Sequence, residues 1–286
     1  MAVSFQVNDF FDPVTGTYTY LVVDLPSKDC VVIDPVLDFD MISGSASTTS
    51  LKPVIEMIDS NNYRLCTVLE THAHADHLTA AKQLREMYGA SIAIGAGITD
   101  IQENFKQIYG FADDFNTDGR AFDRLLNDGD TVSFGCQTIH VIATPGHTAD
   151  SLSFRIGQYI FIGDTLFHPD IGSARCDFPG GDARELFRTI AKILSHDDQT
   201  ILCLCHDYPG DSREPETFIT VARMKQNIHL VQSDTNVEKF VGLREGRDKD
   251  LALPKLIIPS VQVNCQAGLD LNAQGQTLTW PVNQFK

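Results

Sequence analysis

The sequence has no apolar run approaching the roughly 20 residues that a helix needs to cross a bilayer, which argues against a membrane-spanning protein. Its first residues, Met1-Ala2-Val3-Ser4-Phe5-Gln6, carry neither a basic segment nor an apolar core, so no secretory leader is expected and a cytoplasmic location follows by default. Positive charge is scarce: 22 Lys and Arg stand against 38 Asp and Glu, a net charge of −16. Such a surface repels phosphates and anionic lipid, so neither nucleic acid nor a membrane is an expected partner. The charge serves solubility, and an anionic substrate would have to be met by local Arg or Lys against the global field. The seven cysteines (Cys30, Cys66, Cys136, Cys176, Cys203, Cys205, Cys265) are odd in number, irregular in spacing and without a CxxC pair. That excludes a disulfide framework and suits buried, reduced thiols. Cys176 and Cys205 stand apart because they lie beside the motifs described below. No internal repeat is present. With 43% hydrophobic and 21% charged residues, the 286-residue chain has ample material for the core of one large domain.

Residues 17–24 alternate and are β-rich, and 30–35 form an apolar run closed by proline; the turn residues 25–29 between them make the two a hairpin. Residues 43–50 read as a small, exposed polar loop. Val54, Ile55, Met57 and Ile58 fall at helical spacing within 53–61, and 66–70 is strand-like. A helix is expected over 78–88 with Gly89 as its cap, a strand over 90–94, and a helix over 98–109 stopped by Gly110. Residues 127–130 are a turn. Hairpins follow at 131–134 with 137–143 and at 151–156 with 159–162, the second joined by Gly157-Gln158. Then come a helix at 182–195, a strand at 199–204 and a helix at 215–227. The tail from 253 is mixed, strand-like at 256–259 and 261–263. This order suits two packed sheets with helices on their outer faces. A single domain over 1–286 is expected, with 231–286 a short C-terminal extension packed on it.

His72-Ala73-His74-Ala75-Asp76-His77 places three imidazoles and a carboxylate in six residues, directly after an apolar run. Neutral imidazole and carboxylate are ligands of zinc, iron and manganese. With nine histidines in the chain, three in one hexapeptide mark a metal site rather than a polar surface turn. Three further apolar runs end on a ligand-type residue: His147 after Pro145-Gly146, Asp164 after Gly163, and His206 after Cys205. Glycine permits the tight turn that aims the next side chain into a shared cavity. Singly each is a weak signal; together they give His72, His74, Asp76, His77, His147, Asp164 and His206. His140, His168, His196 and His229 do not fit and read as structural or surface residues.

His-Ala-His-Ala-Asp-His, Pro-Gly-His-Thr, Gly-Asp-Thr-Leu and Cys-His-Asp-Tyr, in that order, resemble the metallo-β-lactamase superfamily over about residues 5 to 230. The resemblance implies an α/β (α+β) fold, an αββα sandwich of two mixed sheets flanked by helices, with the metal at one edge of the sheets. In dinuclear members of the family, His72, His74 and His147 would hold one metal and Asp76, His77 and His206 the second, with Asp164 bridging. Gly172-Ser173-Ala174-Arg175-Cys176-Asp177-Phe178-Pro179-Gly180-Gly181-Asp182-Ala183 resembles the corresponding stretch of the persulfide dioxygenase branch. His206-Asp207-Tyr208 and Asn227-Ile228-His229 agree with that branch. Glyoxalase II shares the metal motifs, but the tail after Asn227 is too short and too strand-like for its helical substrate domain.

That resemblance implies one iron(II) per chain on His72, His147 and Asp164, a 2-His-1-carboxylate triad with an open face. His74, Asp76, His77 and His206 would then support it. The implied reaction oxidises the sulfane sulfur of glutathione persulfide, or a similar small persulfide, with O2 to sulfite, and Arg175 and Tyr208 match the substrate-contacting pair. One departure is Met224, which stands between Arg223 and Lys225 where related sequences often carry arginine. The alternative is a thioester hydrolase of glyoxalase II type (hydroxyacylglutathione hydrolase) using one or two zinc ions; a remoter one is a non-catalytic, metal-binding persulfide sensor. No rhodanese-type domain is attached, so a sulfurtransferase partner would be a separate chain. A homodimer is the expectation for such an enzyme.

Overall fold

The computed structural model describes residues 4–113, 115–211, 213–271 and 281–282. It opens with an antiparallel meander of β1 (Phe5–Asp12), β2 (Thr17–Asp24) and β3 (Asp29–Ile33). There follow β4 (Val36–Asp40), β5 (Ser45–Ser47), α1 (Lys52–Asn61), β6 (Arg64–Leu69), β7 (Leu78–Thr79), α2 (Ala81–Tyr88), β8 (Ser91–Gly95), α3 (Ile98–Tyr109) and β9 (Arg124–Leu126). The second half runs β10 (Thr131–Phe134), β11 (Gln137–Ala143), β12 (Leu152–Ile156), β13 (Tyr159–Phe161), α4 (Ala183–Leu194), β14 (Ile201–Cys203) and β15 (Phe218–Thr220). Four helices close it: α5 (Val221–Met224), α6 (Ile228–Gln232), α7 (Val237–Asp248) and α8 (Ile257–Asn264).

Two six-stranded mixed sheets result, in the orders β1-β2-β3-β6-β8-β9 and β10-β11-β12-β13-β14-β15, with a small sheet β5-β4-β7 beside them. The first is antiparallel to β3 and parallel from there to β9; in the second only β13 and β14 are parallel.

Period-two alternation explains the layering, because successive strand side chains leave opposite faces. In β2 and β3, Tyr20, Val22, Val31 and Ile33 enter the core between the sheets, where they meet Val141, Phe154 and Phe161. Their alternates Leu21, Val23, Cys30 and Val32 pack outward under α1, α2, α3 and α8, against Ile58, Leu84, Phe105 and Val261. Ile160 and Leu202 of the second sheet likewise face α4, α5, α6 and α7. Each such fully buried aliphatic contributes roughly 1.5–3 kcal/mol. The four layers are the αββα sandwich expected from the sequence. Among the described residues no helix is long and apolar enough to cross a membrane.

Several elements differ from the sequence expectation. Residues 215–227 are not one helix: Phe218–Thr220 extends the second sheet beside β14, and only Val221–Met224 is helical. Thr220 marks the change, since its hydroxyl accepts the Arg223 N–H as an N-cap. The apolar run at 256–263 is helix α8 rather than two strands; short buried runs do not reveal their period, and Pro259 sits harmlessly in the first turn. Leu78 and Thr79 pair with β4, so the helix there starts at Ala81. Ser45–Ser47 of the polar loop pairs with β4. The mixed reading of the tail beyond 271 falls largely outside the described residues.

Candidate metal centre

Four chain segments deliver the site, each just past a strand's carboxyl end: β6 leads to His72–His77, β11 to His147, β13 to Asp164 and β14 to His206. Gly146, at φ +134°, lies so close to the backbone of Leu186 that a Cβ would stand 2.4 Å from it. That approach needs glycine, and it fixes the height of His147 above α4.

The structure brings all seven predicted site residues together. The ligand atoms of His72, His147 and Asp164 lie within 4.8 Å of one another, as do those of His74, Asp76, His77 and His206. The hydrogen-bond partners determine the tautomers. His147 Nδ1 lies 2.8 Å from the Arg175 carbonyl, which can only accept, so Nδ1 carries the proton and Nε2 a lone pair. Thr71 Oγ1 donates to Asp34 and therefore accepts from His72 Nδ1 at 3.1 Å. His74 Nε2 donates to Asp34 Oδ1 at 3.0 Å. A relay from His206 Nδ1 through Thr17 (3.2 Å) and Thr15 (2.7 Å) to Asp12 (2.6 Å) sets His206 in the same way. The remaining nitrogens, His72 Nε2, His74 Nδ1 and His77 Nε2, are buried without a hydrogen-bond partner. Buried polar atoms are rarely left so, and lone pairs converging on one space are what a cation needs. The donor set thus fits a divalent metal.

The electrostatics agree. Burial, reinforced by the neighbouring imidazoles, pushes His72 and His74 well below the ordinary histidine range, so both rings are neutral, the form a metal needs. Burial alone would raise Asp76, but His206 and His77 hold it well below the usual carboxylate range. Burial lowers His206, yet Asp76, Asp164 and Asp34 together raise it above the ordinary value.

Sequence reasoning passed over the residues that orient this set. Asp34, buried with left-handed backbone (φ +49°), takes the Thr71 N–H at 2.8 Å as well as His74. Asn264 of α8 donates to the carbonyls of His74 (2.7 Å) and His77 (2.8 Å) and accepts the Thr79 N–H (2.8 Å). The signal for Asp34 was a carboxylate closing the apolar run 30–33; nothing in the tail marked Asn264. Cys205 reaches the cluster, its Sγ 3.7 Å from Asp34 Oδ2. Cys176 does not, lining instead a separate cleft with Asp182 and Glu245.

A cavity of about 380 Å³ adjoins the ligands Asp76, His147 and Asp164, and is also walled by Phe167, Phe178, Tyr208, Arg175, His229, Arg244 and Arg247. Tyr208 stacks parallel to His206, ring centroids 5.9 Å apart. Arg175 lines the cavity, but its guanidinium is engaged: it grips Asp177 through two nitrogens (2.7 and 2.8 Å) and the Ala252 carbonyl through the third (2.8 Å). Met224 is buried away from the cavity, and neither neighbour takes over its place. Arg223 binds His168 and Glu216, and Lys225 binds Asp198. His229, read from sequence as structural or surface, forms part of the cavity wall.

Two mixed sheets between helical layers, with a His/Asp cluster at one shared edge and a cavity beside it, define a metalloprotein of the αββα class. Residues 12–206 match the metallo-beta-lactamase superfamily, and the chain belongs to it. It is 43% identical to a probable metallo-hydrolase of Burkholderia pseudomallei (strain 1710b), over 92% of each chain. It is 42% identical to a beta-lactamase hydrolase-like protein of Xylella fastidiosa (strain Temecula1), over 98% of this chain but 65% of that one, so it spans just under two thirds of that relative. Among solved structures, ETHE1 from Myxococcus xanthus superposes with a TM-score of 0.73 at 28% identity, covering 92% of this chain and all of that one.

Proposed function

We propose that the protein is an iron(II)-dependent persulfide dioxygenase, with His72, His147 and Asp164 holding the metal and glutathione persulfide or a similar small persulfide as substrate. The observation that carries this reading is what the 172–183 segment builds. The stretch that resembles persulfide dioxygenases orients His147 through the Arg175 carbonyl, sets the Phe178 ring 5.8 Å from His147, and caps α4 through Asp182. The likeness to ETHE1 across the whole of that chain supports the same reading.

Bound on that triad, iron(II) would supply O2 activation and a Lewis-acid contact for the persulfide sulfur. The chain's own part is to hold His147 in the one tautomer that leaves Nε2 free and to dry the cavity with Phe167, Phe178 and Tyr208. The balanced reaction converts the persulfide, O2 and water to glutathione, sulfite and two protons. Protein purified anaerobically and loaded with stoichiometric iron should take up O2 with glutathione persulfide, and His147→Ala should abolish the uptake. No uptake at full iron occupancy overturns the assignment.

A second reading, a zinc thioester hydrolase, is favoured by the second set of lone pairs at His74, His77 and His206. Two metals per chain together with hydrolysis of S-D-lactoylglutathione would establish it instead.

A further inference from the structure

We infer that Arg247, on α7, is the residue that recognises the substrate's carboxylate, and that the wall it shares with Arg244 and His229 is the anion-binding part of the cavity. This rests on the proposed substrate being a small thiol derivative bearing carboxylates. Of the three arginines lining the cavity, Arg175 has every guanidinium nitrogen engaged by Asp177 and Ala252. Arg244 is locked through its terminal nitrogens to Asp248 and the Ser173 carbonyl. Arg247 is exposed, and its guanidinium makes no hydrogen bond or ion pair among the described residues.

The same wall holds two buried donors without acceptors. Arg244 Nε is one. His229 supplies the other: its Nδ1 accepts the Ser173 N–H at 2.9 Å, so in the neutral ring the proton sits on Nε2, which is buried and unpartnered. An exposed arginine alone is an ordinary surface residue. A free guanidinium sharing a cavity wall with two orphaned donors asks for an acceptor-rich anion, and a planar carboxylate matches the guanidinium fork. In a chain of net charge −16, this is where an anionic substrate finds local positive charge.

The test is calorimetric titration of the metal-loaded protein with glutathione and with its diethyl ester. Arg247→Ala should weaken glutathione by about tenfold or more and leave the ester within about twofold of the native protein, the difference expected for one charge-assisted contact. Arg247→Lys should recover part of the loss. Unchanged glutathione affinity, an equal loss for acid and ester, or a native protein that binds neither overturns the inference. The reaction is judged separately. O2 uptake whose KM for glutathione persulfide is unmoved in Arg247→Ala refutes the site and keeps the dioxygenase. Arg247-dependent glutathione binding without O2 uptake does the reverse.

Discussion

Asn264 is the sharpest point at which the C-terminal helix can be tested against the metal loop. Its amide donates to the His74 and His77 carbonyls and its carbonyl accepts from the Thr79 backbone, all within 2.8 Å and at 3% exposure. Truncation to alanine strands three buried backbone groups. At about 1–2 kcal/mol each, Asn264→Ala should lose roughly 3–6 kcal/mol, a large share of the ~5–15 kcal/mol that a domain possesses. Asn264→Leu refills the volume but strands the same three groups, so it should lose nearly as much and thereby exclude a simple cavity effect. The assay is urea unfolding of chelator-treated protein, with an unchanged m value as the check that the transition remains two-state. Because the same amide fixes the carbonyls of two residues of the His72–His77 loop, affinity for a divalent metal, read by competition with a chromophoric chelator, should fall about 10- to 100-fold. A loss below about 1 kcal/mol, or an unchanged metal affinity, would refute the idea that α8 clamps the loop.

Asp34→Asn keeps the shape but has one acceptor oxygen where the native residue uses two, so either Thr71 or His74 loses its partner; metal affinity should fall about 10- to 100-fold, and retention of native affinity would show that Asp34 does not orient the ligand. Burial, then the charges of Arg244 and Arg247, hold His229 down to about 3 from 6.5. The unfolded chain therefore binds a proton there that the folded chain refuses, and stability should fall as pH drops from 6.5 toward 3. His229→Gln should lose that part of the pH slope; urea midpoints that change equally with pH in both proteins would refute it.

The sequence disclosed the site more fully than the fold because ligand chemistry is local and packing is not. His72–His77, His147, Asp164 and His206 each announce themselves by residue type at the end of an apolar run, and the structure brings all seven to one place. The αββα layering was legible for a related reason: strands such as Thr17–Asp24 and Asp29–Ile33, buried on both faces, remain β-rich and bounded by turns. The misreadings occur where two periods share one composition. Phe218–Thr220 is a strand because β14 offers an edge to pair with, and Ile257–Asn264 is a helix because its apolar residues pack under the first sheet. Neither neighbour is visible within a local window.

The same contrast explains why the supporting residues were missed. Asp34 lies 40 residues before, and Asn264 190 residues after, the His74 that each contacts. Arg247 resembles any other charge on a polar helix until Arg175 and Arg244 are seen to be occupied. The tail beyond residue 231 therefore does two things that no motif records: α7 gives the cavity its one unengaged cation among the described residues, and α8 ties down the loop that carries His72, His74, Asp76 and His77. A segment that supplies both a recognition group and a clamp is part of the site's construction. Its removal should loosen the metal loop as well as the substrate's grip, rather than trim an appendage from an otherwise complete centre.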